Sequence, residues 1–173
     1  LAAVRANLAR VRALAPGTQV LAVVKANAYG HGLFDVLPAL EDAYGLALVE
    51  LEAAIELRER RYSRRLLLIE GFFAADELPE LAQRRLATVV HDMEQVRMLE
   101  LAVLPRPLEV FVKVNTGMNR LGFRPADVAA APVGPGAWPA PTEDELEHLG
   151  VRGMPKVTGR RGIQIWIPVG PGL

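Results

Sequence analysis

Short apolar runs rich in leucine and β-branched residues recur along the first 130 positions, at 20–24, 45–49, 66–69, 86–90 and 110–114. They are mostly continuous rather than alternating, which is how strands buried on both faces read, and this favours a parallel sheet covered by helices.

The intervals between the runs predict helices. Ahead of the first, Val4, Leu8, Val11 and Leu14 form a stripe of helical period that Pro16 and Gly17 end. After the second, Leu51, Ala54 and Ile55 share one face, with Glu and Arg opposite as far as Arg61. After the third, Asp76 is placed to cap a helix whose first turn tolerates Pro79. After the fourth, Asp92 and Gln95 stand in capping-box spacing ahead of Met93, Val96, Leu99 and Val103. Five βα repeats without a Gly-rich dinucleotide turn suit either an open doubly wound sheet or part of a (β/α)8 barrel, which needs three further strands.

Composition narrows the function. The chain has 173 residues, 20 basic against 20 acidic, and no cysteine. Zero net charge gives no electrostatic reason to expect nucleic acid or an anionic membrane as partner. Without cysteine there are no disulfides, thiolate metal sites or thiol nucleophiles. The apolar runs are far too short for a membrane helix, and no signal-peptide pattern opens the chain, so a cytoplasmic location is expected. No HExxH, Walker or EF-hand pattern occurs, and no metal site is expected. His31, His91 and His148 are scattered, and residues 56–65 read as the solvated end of a helix, with Arg64 and Arg65 at the surface.

Lysine is rare: Lys25, Lys113 and Lys156 stand against 17 arginines. Two of the three close apolar runs, at the carboxyl end of the sheet where α/β folds place their sites. By position alone, Lys25 reads as a stem packed on the strand end with its head in water. Partial desolvation would instead make its amine a nucleophile toward a carbonyl. Tyr29, four residues on, can present its hydroxyl at the same mouth or pack in the loop. Lys113, if within its strand, is buried and needs a partner; Arg120 follows in a polar loop.

The strings AVVKANAYGHG (22–32) and VKVNTGMNRLGF (112–123) resemble, in this order and spacing, two signatures of alanine racemase, a pyridoxal-phosphate enzyme with a (β/α)8 barrel followed by a β-rich domain. A strand-end lysine also occurs in small pyridoxal-phosphate homeostasis barrels, but the run through Asn27, Tyr29 and His31 is closer to the racemase. The resemblance implies that Lys25 is the Schiff-base lysine and the base for the D-enantiomer, and that Tyr29 donates to the cofactor phosphate. It implies Arg120 at the cofactor's phenolic oxygen and the substrate carboxylate, with Lys113 carboxylated to orient that arginine. Asn115 stands where the family often has Asp. The implied activity is interconversion of L- and D-alanine on a pyridoxal-phosphate imine, supplying D-alanine for peptidoglycan, in a homodimer.

In the family the second proton-transfer group is a tyrosine from the partner's C-terminal domain, whereas the tyrosines here are Tyr29, Tyr44 and Tyr62. The resemblance stops near residue 131, where 131–173 hold 7 of 13 prolines and 8 of 15 glycines. A helix begun after Arg124, a short helix over 143–149 and a strand through Ile163, Ile165 and Ile167 are the elements expected there. The expectation is therefore a partial barrel of about five βα units over 1–130, with an irregular tail over 131–173 of out-of-family sequence, as if the coding frame were interrupted. Low or absent racemase activity is expected of such a chain. The alternative is a non-catalytic pyridoxal-phosphate-binding barrel or interaction module. Two unpaired sheet edges are also expected of a partial barrel.

Overall fold

The computed structural model describes residues 1–115, 117–124 and 127, together with strand residues 156–157, 163–164 and 166–169. The chain divides into two compact units, Leu1–Ile69 and Glu70–Leu173.

The first unit runs α1 (Ala2–Leu14), β1 (Leu21–Val23), a short turn α2 (Lys25–Tyr29), α3 (Leu33–Val36), β2 (Gly45–Leu48), α4 (Leu51–Glu59) and β3 (Arg65–Leu68). The strands pair in parallel, Leu21 opposite Gly45 and Leu46 opposite Leu66. Leu46, Leu48, Leu66 and Leu68 are buried to within 1% of full exclusion, each contributing on the order of 2 kcal/mol. β1 departs from the expected full burial: its three residues are half-exposed, because it takes the edge of its sheet. In α1 the stripe is buried only at Leu8, and Val11 and Leu14 are exposed. That helix is tied to the 3-10 turn Leu37–Ala39, where Arg5 Nη2 donates to the Pro38 carbonyl at 2.9 Å.

β2 lies close to its neighbours because Gly45 has no side chain. A Cβ there would meet the Arg65 carbonyl oxygen at 2.3 Å and Leu21 Cδ2 at 2.8 Å. The arginine-rich end of α4 is solvated as expected, with residues 59–61 and Arg64 exposed, and its arginines also clasp backbone carbonyls. Arg58 Nη1 donates to the carbonyls of Tyr62 and Arg64, at 2.6 and 2.8 Å, and Arg64 Nη1 donates to the Ala43 carbonyl at 2.6 Å. Arg60 lies 3.9 Å above the Phe34 ring and Arg65 stacks on Tyr44.

The second unit contains α5 (Leu78–Gln83), β4 (Ala87–Val90), α6 (Met93–Leu101) and β5 (Val110–Lys113), with β4 and β5 parallel and fully buried. Pro79 sits in the first turn of α5 as expected. Asp76 does not cap it: a 3-10 turn, Ala75–Glu77, leads straight into the helix and carries Asp76 within it. At α6 the expected cap forms. The Asp92 carboxylate accepts from the Gln95 amide at 2.9 Å, and buried Gln95 reaches back to the His91 amide at 2.9 Å and donates to the Phe72 carbonyl at 3.0 Å. Asp92→Ala is expected to cost about 1 kcal/mol of unfolding free energy, read from the urea midpoint.

Beyond the repeats, β6 (Lys156–Val157) and β7 (Ile163–Gln164) pair antiparallel, and β8 (Trp166–Val169) pairs antiparallel with β5, Lys113 opposite Trp166. The edge of β5 that a partial barrel would leave open is thereby covered. The alternating isoleucines fall in β7 and β8, with Ile165 outside the described residues. The helix expected over 143–149, and all but Asp127 of the one expected after Arg124, also lie outside them.

Candidate functional site

Lys25 leaves the sheet where β1 ends. The Val24 amide still donates to the Ala47 carbonyl at 2.8 Å, and Lys25 is half-buried beyond it. The next residues do not continue as a right-handed helix. Ala26, Asn27, Ala28 and Tyr29 all have φ between 52° and 55°, so α2 is a left-handed turn. Each non-glycine residue there costs roughly 1–2 kcal/mol, and persists only where the surroundings determine it.

Local bonds supply that determination. The Ala28 amide donates to the Val24 carbonyl at 2.8 Å, Gly30 to Ala26 at 3.0 Å and Gly32 to Asn27 at 3.1 Å. Asn27 Oδ1 accepts from the Leu33 amide at 2.7 Å, joining the turn to α3. Gly30, at φ 84°, closes it. The small side chains of Ala26 and Ala28 and the tolerance of Asn for this conformation make the turn possible. Tyr29 ends it with its side chain 61% exposed.

A residue that sequence reasoning passed over completes this corner. Glu50 follows β2, and its Oε1 accepts from the Ala26 amide at 3.0 Å while Oε2 accepts from the Val49 amide at 3.3 Å. Burial alone would push this carboxyl up. The backbone amides of Ala26, Glu50 and Val49, together with the charge of Lys25, outweigh that and hold it below the ordinary glutamate value. The available signal was its position, an acid at the carboxyl end of a buried run.

In the second unit, Lys113 is the last residue of β5 and only 2% exposed. The loop that follows returns to the strand: the Phe123 amide donates to the Lys113 carbonyl at 2.9 Å and the Asn115 amide to the Phe123 carbonyl at 2.8 Å. Gly122 permits this return, since at φ 119° a Cβ would come within 2.8 Å of the Asn115 nitrogen. Asn115 organises the loop interior. Its Oδ1 accepts from the amides of Gly117 and Asn119, at 3.1 and 3.0 Å, and its Nδ2 donates to Asn119 Oδ1 at 2.9 Å. The last bond needs an amide, so aspartate could not reproduce it. Arg120 is exposed on this loop. His91, at the end of β4, has Nε2 3.0 Å from the Glu70 carbonyl oxygen and Nδ1 3.3 Å from Asp92 Oδ2.

Lys25 and Tyr29 are thus held on one turn of the first unit, and Lys113 and Arg120 on one loop of the second. The family model described as alanine racemase, N-terminal domain, matches residues 1–133. The chain belongs to this alanine racemase family. It is 54% identical over 130 residues to the alanine racemase of Nitrosospira multiformis, covering 75% of this chain and 36% of that one. It is 53% identical over 128 residues to the catabolic alanine racemase of Klebsiella aerogenes, covering 74% and 36%. The solved biosynthetic alanine racemase of Pseudomonas aeruginosa superposes with a TM-score of 0.70 at 45% identity, over 75% of this chain and 37% of that one. The chain therefore spans about a third of the length of the racemases it matches. Of the two α/β folds the repeats allowed, the racemase likeness selects the partial (β/α)8 barrel. No described helix is long and apolar enough to cross a membrane.

Proposed function

We propose that this chain carries the cofactor-lysine part of an alanine racemase site and binds pyridoxal phosphate through Lys25. The observation that carries the reading is a half-buried primary amine fixed at the carboxyl end of a parallel sheet by a left-handed turn, in a chain of this family. The donor set fits the group. An amine can bond its aldehyde carbon, and the exposed Tyr29 phenol can donate to its phosphate. Arg120 is the cation for its phenolic oxygen and for the substrate carboxylate.

Pyridoxal phosphate, when bound, supplies the electron sink that makes the α-hydrogen of an amino acid removable. Lys25 Nζ takes and returns that proton on one face, the face of the D-enantiomer. Arg120 orients the substrate carboxylate. Lys113 orients Arg120 as a carbamate: its ammonium gives up one proton, the free amine forms an N–C bond to carbon dioxide and gives up a second, and a buried cation becomes an anion. The carbamate attracts a guanidinium, which an ammonium would repel. Exposure to 13C-bicarbonate is expected to give a carbamate carbon signal that Lys113→Ala abolishes; an unchanged spectrum in the variant would refute the modification.

Alanine as substrate, D-alanine supply for peptidoglycan, a homodimer and a cytoplasmic location belong to the same proposal, as does the division into a cofactor-binding part over 1–130 and an out-of-family tail over 131–173. The 173 residues hold tyrosine only at 29, 44 and 62. Low or no turnover of alanine by these 173 residues, in which Lys25 serves one face, is part of the same proposal. The second reading, a non-catalytic cofactor-binding module, is favoured by the pairing of β8 on the edge of β5, which closes an edge that further barrel strands would extend. Reduction of the chain with borohydride in the presence of pyridoxal phosphate, with alanine turnover assayed alongside, tests the proposal. A Lys25 adduct with little turnover is expected, and absence of an adduct would overturn it.

A further inference from the structure

We infer that Glu50 is a positioning residue for the cofactor lysine, its carboxylate holding the first peptide of the left-handed turn that aims Lys25. The inference rests on the reading of Lys25 given above and adds to it a residue from the start of α4, just beyond β2.

The Lys25–Ala26 peptide is where the chain passes from the sheet into the left-handed conformation, and Ala26 is the first residue with positive φ. Its amide points out of the turn's own bonding: the turn's internal donors are Ala28, Gly30, His31 and Gly32, whereas Ala26 donates to Glu50 Oε1 at 3.0 Å. Four successive non-glycine residues at positive φ store strain that would relax by rotating this peptide, and such a rotation would swing Lys25 about the strand end. A charged acceptor anchored between β2 and α4 opposes it, because charge-assisted bonds are the stronger ones. Glu50 is itself fixed, through Oε2 on the Val49 amide at 3.3 Å and through the start of α4 at Leu51. The charge of Lys25 adds to the backbone amides in keeping the carboxyl ionised. β2 lies parallel beside β1, with Val23 opposite Ala47, so the brace comes from the residues that leave the neighbouring strand.

The test uses the full chain and the variants Glu50→Ala and Glu50→Gln. Two quantities are read: hydrogen exchange of the peptide covering residues 25–32 without cofactor, and the yield of borohydride-trapped pyridoxal phosphate on Lys25. In Glu50→Ala, exchange at the Ala26 amide is expected to accelerate about tenfold and trapping to fall by a similar factor, as loss of one charge-assisted bond implies. Glu50→Gln keeps an acceptor oxygen and is expected to restore both to within about threefold, whereas a further variant, Glu50→Met, of similar bulk and without that oxygen, is expected to restore neither; rescue by Met would show that Glu50 only fills space and would overturn its role. Trapping in the parent that Glu50→Ala leaves undiminished overturns the role of Glu50 alone. No trapping at Lys25 in the parent overturns the reading of Lys25 and this inference with it, whatever the exchange rates.

Discussion

Lys25→Ala is expected to reduce capture of pyridoxal phosphate to background while leaving the fold intact. The amine is the only group on the turn that can bond the cofactor's aldehyde; Tyr29 and the backbone amides can hold a phosphate but cannot make that bond. Lys113 is buried to 2% exposure in β5 and is not open to an aldehyde. Lys25 is half-buried and half in water, so its truncation falls among surface changes, within about 0.5 kcal/mol of unfolding free energy. Absorbance of the bound cofactor and borohydride trapping measure the first effect, and urea unfolding the second. Capture that survives in Lys25→Ala at the parent level would move the site elsewhere.

Gly45→Val is expected to give the largest loss of stability. The position opens a buried parallel strand, where valine is normally favoured, so propensity alone predicts a gain. Sterics decide otherwise. A Cβ would sit 2.3 Å from the Arg65 carbonyl oxygen, a backbone atom of β3 that cannot swing aside, and 2.8 Å from Leu21 Cδ2 on β1. Both neighbouring strands would have to move away, with loss of packing at Leu46 and Leu66, which lie opposite each other. A cost of about 3 kcal/mol follows for overpacking of this kind. Chemical denaturation read by circular dichroism checks it, and an unfolding midpoint equal to the parent's would contradict the packing described. Because β2 leads directly into Glu50, the same substitution is expected to weaken cofactor capture.

The strands were legible because residues buried on both faces form continuous apolar runs, and each run lies within a residue of the strand it predicts. Lys25 and Lys113 stood out because both end such runs in a chain that otherwise uses arginine. Other features depend on partners distant in sequence. Ala26 to Tyr29 carry no sequence signal for a left-handed turn; local bonds from Gly30 and Gly32 hold it together with the acceptor on Glu50, 24 positions on. Asp76 has the right spacing for a cap, but the 3-10 turn it sits in removes the need for one. The exposure of β1 follows from its place at the sheet edge, and the arginine clasp after α4 depends on carbonyls whose positions the fold sets. The antiparallel return of β8 onto β5 is carried by alternation at 163–167 that marks a strand but names no partner.

The central claim is that Lys25 is the amine that takes the cofactor. Peptide mapping by mass spectrometry of the full chain, after reduction with borohydride in the presence of pyridoxal phosphate, reads it directly, since only Lys25, Lys113, Lys156 and the chain's amino terminus carry a primary amine. The account predicts the phosphopyridoxyl group on the peptide containing Lys25 and on no other in stoichiometric amount. Label spread evenly over the lysines, or confined to Lys113 or Lys156, would contradict it.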